Sequence, residues 1–302
     1  MTDASTQAAT AESGIAGGRL FVVATPIGNL GDVTFRAIDV LKTVPLVAAE
    51  DTRLTRRLFA RYEVATRLVS YHARSGPRRQ IELLEHLRSG WDLALVTDAG
   101  TPLVSDPGGE LAAAWAAGGG VVVPIPGASA VLAALVASGL AVARWSFEGF
   151  LPRRGRERRE RLARIAADER ACVIYEAPSR VPETLADLAA VAGGQRRAAV
   201  CRELTKIHEE VVRGPLAELV RRATADELTL RGEFVIVLEA VTAGEATSRD
   251  AARDAAAQSP AAMADARAAV ARLVADGAKR SDAVRQIASA TGLDRRELYR
   301  PE

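Results

Sequence analysis

Three turns rich in glycine and proline each close an apolar run: Thr25-Pro26-Ile27-Gly28-Asn29, Asp98-Ala99-Gly100-Thr101-Pro102 and Pro126-Gly127-Ala128-Ser129-Ala130. Glycine lets main chain approach a ligand closely, and proline withdraws N–H donors, so turns of this kind present carbonyl oxygens in excess. Their chemistry suits a ligand with amines or positive charge, held by backbone. Gly100 and Gly127 are the positions where a side chain is expected to block that approach. No G-x-G-x-x-G follows the first apolar run and no Walker lysine follows a glycine loop, which argues against a phosphate cradle. One such turn is ordinary strand-to-helix punctuation. Three of them at strand ends point to a shared crevice, because an open α/β sheet binds small molecules outside the carboxyl ends of its strands.

Hydrophobic pattern supplies the elements that must place these turns. Aliphatic and β-branched runs at 20–24, 45–49, 67–70, 93–97 and 121–125 alternate with helical patterns opening at Thr34, Thr52, Pro77, residue 108 and Ala128. That alternation predicts a parallel sheet covered on both faces. Asp32 or Thr34, Thr52 and Ser129 stand where N-caps belong. After Ala143 the order becomes strand, arginine-rich helix, strand (171–175), helix (181–192), strand (198–202), helix (215–223) and strand (233–240), a second, mixed α/β domain. The expected organisation is a disordered segment 1–18, a first α/β domain 19–143, a second 144–241, a linker 242–262 poor in large apolar residues, and a helical tail 263–302. In that tail Ala266, Val270, Leu273 and Val274 share one helical face, Gly277 stops it, and starts at Ser281-Asp282 and Asp294 complete a helix-turn-helix pattern or a helical cap.

Composition narrows the function. With 302 residues, 48% of them hydrophobic, and a formal charge of +2, the chain buries a large core and has no global field strong enough to steer nucleic acid. Any RNA contact must come from local patches. Residues 153–164 hold seven arginines against two glutamates, and guanidinium forks suit phosphate oxygens. Arg153, Arg154, Arg156 and Arg158 are therefore candidate RNA contacts, with Lys206 beside them and a solvated, salt-bridged helix face as the alternative. Arg53, Arg56, Arg57, Arg74, Arg78 and Arg79 could extend the patch. Aromatic residues make up only 4%, too few for a base-stacking platform. Cys172 and Cys201 lack CxxC spacing and His72, His86 and His208 are scattered, so no metal is expected. Neither a membrane-length apolar run nor a signal peptide is visible, and the expectation is a cytoplasmic protein.

Taken in order, Ala24–Leu30, Ala49–Arg53, Thr97–Gly108, Pro126–Ala130, Phe147–Arg153, Tyr175–Arg180, Cys201–Lys206 and Gly232-Glu233-Phe234 resemble the tetrapyrrole methylase superfamily. More narrowly the chain is similar, over about 19–241, to the branch that methylates a cytidine 2′-hydroxyl of 16S rRNA near the decoding centre. The resemblance implies a two-domain fold with S-adenosylmethionine in the cleft between the domains. It would touch Pro26, Gly100, Thr101, Val104, Ser129, Ala130, Tyr175 and Glu176, with Asp98 or Glu176 offsetting its positive charge. It also implies a homodimer and a 16S rRNA or 30S-particle partner, which the tail would help to dock.

Methyl transfer from a sulfonium to a hydroxyl is an in-line displacement during which the hydroxyl loses its proton. Glu203, Asp51 and Asp98 are the candidates for accepting that proton or orienting the nucleophile, with Glu50 and His72 also at strand ends or turns. Asp51 could instead cap the following helix, Asp98 could shape its own turn, and Lys206 could hold a phosphate or pair with Glu203. Two competing functions remain: a small-molecule C-methyltransferase of the corrin and sirohaem pathway, and a non-catalytic RNA-binding assembly protein.

Overall fold

The computed structural model describes residues 17–241 and 260–299, apart from 292 and 294. Most of the expected segment 1–18 and of the expected linker 242–262 lies outside the described residues. Strands β1 (Arg19–Val23), β2 (Leu46–Ala49), β3 (Arg67–Ser70), β4 (Leu93–Val96) and β5 (Val121–Ile125) form one sheet in the order β3-β2-β4-β1-β5, with every pairing parallel. Side chains alternate between its faces. Leu20, Val22, Leu93 and Leu95 pack with Leu83, Leu87, Leu111 and Trp115 of α3 (Pro77–Arg88) and α4 (Gly109–Ala117). Phe21, Val23, Ala94 and Val96 pack on the other face with Leu41 of α1 (Phe35–Thr43) and Leu58 and Phe59 of α2 (Thr52–Tyr62).

The caps show how the sequence starts these helices. Thr34 caps α1 by accepting from the Ala37 N–H at 3.1 Å. Of the two capping readings for helix α2, Asp51 and not Thr52 holds, its carboxylate accepting from the Arg53 N–H at 2.8 Å. Ser129 stands at the cap position of α5 (Ala130–Ser138) but its side chain makes no capping bond.

A second sheet has the order β6-β7-β10-β8-β9, built from β6 (Trp145–Phe150), β7 (Ala171–Glu176), β8 (Arg197–Arg202), β9 (Glu210–Pro215) and β10 (Phe234–Leu238). Strands β6 and β7 are parallel and the other pairs antiparallel, so the sheet is mixed. One face carries α6 (Arg156–Ala167), α7 (Val181–Ala192) and α8 (Leu216–Thr224) through Leu162, Leu185, Leu188 and Leu216. Helix α5 covers the other face, with Val131, Ala134 and Leu135 against Val173, Ala199 and Val235. It follows β5 directly, so the chain passes from the end of the first sheet to the surface of the second, and both sheets belong to one compact unit.

The tail is a second unit of its own. Helices α9 (Pro260–Ala275), α10 (Arg280–Thr291) and α11 (Arg295–Tyr299) close on Ala266, Val270, Ala283, Val284, Leu293 and Leu298. Its first helix starts at Pro260, inside the stretch expected to be linker. Among the described residues no helix is long and apolar enough to cross a membrane.

Candidate active site: two adjoining cavities at the strand ends

The sheet order makes β4, β1 and β5 immediate neighbours, which brings the three Gly/Pro turns side by side at the carboxyl edge. Thr25 and Gly100 tie two of them together, each N–H donating to the other's carbonyl at 2.8 and 3.0 Å. Gly100 has φ +81°, a left-handed conformation that a side chain strains. The segment after it is coiled tightly, with Leu103 and Ser105 also at positive φ, 73° and 64°. Non-glycine residues hold such angles at a cost of about 1–3 kcal/mol each, and persist where the surroundings over-determine them, often at ligand sites.

This loop borders a cavity of about 370 Å³, within the size range of small-molecule sites. Gly100, Thr101, Val104, Ser129 and Ala130 line it from the first sheet and α5, while Tyr175 and Glu176 line it from β7. Those seven were expected at the cofactor. Pro26 and Asp98 line the neighbouring cavity instead. Gly127 lines neither; a Cβ there would lie 2.9 Å from the Ala24 Cβ, so its glycine serves turn packing and not ligand approach. The sequence missed Phe150, Asp106 and the residues at the start of β10, Gly232-Glu233-Phe234, as cavity walls. No Lys or Arg lines this cavity, whereas Asp106, Glu176 and Glu233 do, a charge pattern that fits a cationic ligand. Burial, with the nearby Asp98 charge adding, pushes the Asp106 carboxyl up. Burial also pushes the Tyr175 phenol up to about 12, so that ring, packed edge-on against Phe147 and Phe150, is a neutral wall.

Glu176 braces that wall from behind. Its side chain is fully buried. One oxygen accepts from the Ala177 N–H at 2.8 Å and lies 3.4 Å from Arg180, and the other accepts from the Thr184 hydroxyl at 2.6 Å. Thr184 in turn accepts from Arg158 at 3.0 Å.

Beside this cavity lies another of about 300 Å³, and Ile27, Ala99 and Glu233 line both. Its walls include Pro26, Leu54, Arg57, Asp98 and Lys206. Asp98 Oδ1 accepts from the Asp51 N–H at 2.9 Å, and its Oδ2 accepts no hydrogen bond among the described residues. Partial burial and the Asp51 charge raise the Asp98 carboxyl above the usual aspartate value, and Glu50, next to it, is raised by burial and by Asp98. Asp51 behaves oppositely. Its carboxylate holds Arg53 at 2.6 Å and caps α2, which brings it down to about 2.

Glu203 pairs with Lys206 at 2.8 Å, and the same oxygen accepts from the Glu233 N–H at 2.9 Å. Burial alone would raise the Glu203 carboxyl, but the Lys206 ammonium and the Glu233 N–H outweigh it and the carboxyl falls below its ordinary value. Lys206 also reaches Glu233 at 3.1 Å, and Gly28 leaves room for the lysine stem, which a Cβ there would run into.

The arginine run divides. Arg158 is corrected from RNA contact to structural residue: it is buried, donating to Asp187 at 2.8 Å, to the Pro152 carbonyl and to Thr184. Arg156 is exposed but bridges Glu160 at 2.6 Å. Arg153 and Arg154 are exposed and carry no ion pair among the described residues. Cys172 and Cys201 are buried thiols, pushed up to about 12 by burial, and no group of metal-ligating side chains occurs among the described residues.

The chain belongs to the Tetrapyrrole (Corrin/Porphyrin) Methylases, whose family model matches residues 19–220, and that membership, with relatives named as methyltransferases, makes it an S-adenosylmethionine-dependent methyltransferase. Among its relatives, Ribosomal RNA small subunit methyltransferase I of Synechocystis sp. is 44% identical over 93% of this chain and 96% of that protein. The Bacillus subtilis protein of the same name is 47% identical over 74% and 75%. Solved structures are more distant. Cobalt precorrin-4 methyltransferase has a TM-score of 0.58 at 16% identity, covering 73% of this chain and 94% of that one. Thermus thermophilus uroporphyrin-III C-methyltransferase complexed with S-adenyl homocysteine has 0.54 at 19%, covering 74% and 97%. These two likenesses establish the fold alone.

Proposed function

We propose that the protein methylates the 2′-hydroxyl of a cytidine in 16S rRNA near the decoding centre, in the cytoplasm and as a homodimer. The observation that carries this reading is the 44% identity across 96% of a relative named for small-subunit rRNA methylation. S-adenosylmethionine would supply an electrophilic methyl group bound to a sulfonium. Gly100, Thr101, Val104, Ser129, Ala130, Tyr175 and Glu176 would hold it in the acid-lined cavity, between domains 19–143 and 144–241. Asp98 would accept the hydroxyl proton at Oδ2 and pass it to solvent, since partial burial makes it a better base than an ordinary aspartate. Glu203 keeps Lys206 in place, and Asp51 holds the Asp98 carboxylate through its N–H.

Arg153, Arg154 and Arg156 would contact RNA phosphates, and the tail from about residue 263 would dock a neighbouring part of the particle. Leu132 and Val136, exposed one turn apart on α5, offer apolar surface for a second copy. The test is transfer of labelled methyl to 30S particles, naked 16S rRNA and a porphyrinoid in parallel. Label recovered as 2′-O-methylcytidine is the expected result. Label in the porphyrinoid alone would assign a small-molecule methylase, and cofactor binding with no transfer would leave a non-catalytic assembly protein.

A further inference from the structure

We propose that the second cavity, against α2, receives one ribonucleotide taken out of its helix, and that Arg57 holds a phosphate beside it. The proposal deepens the functional reading above and rests on it. Its first support is position: the cavity shares Ile27, Ala99 and Glu233 with the cofactor cavity, so a group in it lies next to a group in the other. Its second is chemistry. Pro26, Leu54 and Leu58 give apolar surface for a ribose or base face, while Asp98 presents an oxygen with no hydrogen bond among the described residues. A flipped nucleotide needs such a mixed pocket, because its unstacked base loses apolar contacts and its sugar hydroxyls need polar partners.

Charge supplies the third support. Lys206 in the same cavity is held by two glutamates, and Arg53 by Asp51. Arg57 lines the cavity and is exposed at its rim, with no ion pair among the described residues; Arg56 beside it is also exposed and without one. An unpaired guanidinium at the mouth of a nucleotide-sized pocket is suited to a backbone phosphate. Helix α2 would then track the RNA backbone, a role the arginine count gave first to the run at 153–164, with Arg56 and Arg57 only as its extension.

The experiment uses the full-length protein, 16S rRNA or 30S particles, and variants at two exposed positions of α2 that leave the core untouched. Leu54→Trp fills the cavity. It is expected to lower kcat by about 100-fold, the order seen when reacting groups are displaced by an ångström, with calorimetric affinity for S-adenosylmethionine within about twofold of wild type. Arg57→Ala is expected to raise KM for the RNA by about tenfold, and to reduce the slope of log binding against log salt by about 1, as loss of one phosphate contact does. Arg57→Lys should restore part of both. If the wild type methylates RNA and Leu54→Trp and Arg57→Ala both match it, the nucleotide lies elsewhere and this inference is overturned. If the wild type transfers nothing to RNA, the functional reading fails first and this inference fails with it.

Discussion

Glu176→Gln tests whether the braced loop after β7 shapes the cofactor cavity. The substitution keeps the shape of the side chain and removes its charge. One carboxylate now serves the Ala177 N–H at 2.8 Å, the Thr184 hydroxyl at 2.6 Å and Arg180 at 3.4 Å, with no exposed surface. A glutamine oxygen can keep the Ala177 bond. Its NH2 group then faces Thr184, whose hydroxyl already accepts from Arg158 and must find another acceptor for its own proton. Bonds to charged groups contribute about 1.5–3 kcal/mol each. With one bond retained and one reversed, the expected loss is about 2 kcal/mol of stability, a fall in Tm of roughly 4–8 °C for a unit of this size. The segment 175–178, the end of β7 and the turn after it, lines the cavity, so S-adenosylmethionine affinity should fall about tenfold, equivalent to about 1.4 kcal/mol. Thermal unfolding and calorimetric titration of the same sample read both quantities. An unchanged Tm with unchanged affinity would refute the reasoning. A lowered Tm with unchanged affinity would show that the network supports the fold without shaping the site.

Asp98 is the proton acceptor of the account, and its carboxyl is raised above the ordinary value of 3.8 by burial and by Asp51. Activity should therefore be lost, as pH falls, above the usual aspartate range; Asp51→Asn, which removes the neighbouring charge and leaves Arg53 unpaired, should move that acid limb of kcat/KM to lower pH, and an unmoved limb would place the base elsewhere, Glu50 and Asp106 being the other raised carboxyls among the described residues. Arg158→Met breaks the pair with Asp187 and should cost about 3 kcal/mol, whereas Arg153→Ala with Arg154→Ala should stay within about 0.5 kcal/mol in denaturant unfolding. Gly127→Val, forced against Ala24, should lose about 1–3 kcal/mol of stability, while Gly100→Ala should weaken cofactor binding in calorimetry, and equal affinity in the Gly100 variant would remove that turn from the site.

The strands of the first sheet were legible because aliphatic runs of four or five residues alternate with amphipathic helices, and the turns stand out for their glycine and proline. Their adjacency was not, since the order β3-β2-β4-β1-β5 is fixed by long-range pairing that no local window contains. Strand β9 was missed: between Glu210 and Pro215 only Val211 and Val212 are apolar, followed by Arg213 and a turn-like Gly214-Pro215. Arg158 illustrates a signal present but overridden by composition. It lies four residues before Leu162 and seven before Ile165, both buried, so helical spacing places it on the inward face while Arg153 and Arg154 precede the helix. The wall formed by Gly232 and Glu233 could not be anticipated, because it depends on β10 lying beside β7 and β8. Lys206 paired with Glu203 was one of the two readings open in the sequence, and the left-handed backbone at Glu203 and Thr205, φ 49° and 68°, carries that turn against Gly28 and Asn29.

The central claim is that this chain places a methyl group on a cytidine 2′-oxygen of small-subunit rRNA. Its most direct test is a mass-spectrometric map of 2′-O-methylated nucleotides in 16S rRNA from cells with the protein, without it, and with Asp98→Asn in its place. One 2′-O-methylcytidine is expected to be present with the wild-type chain, absent without it, and strongly reduced in the variant although the variant still binds S-adenosylmethionine. An unchanged map in the cells lacking the protein would contradict it.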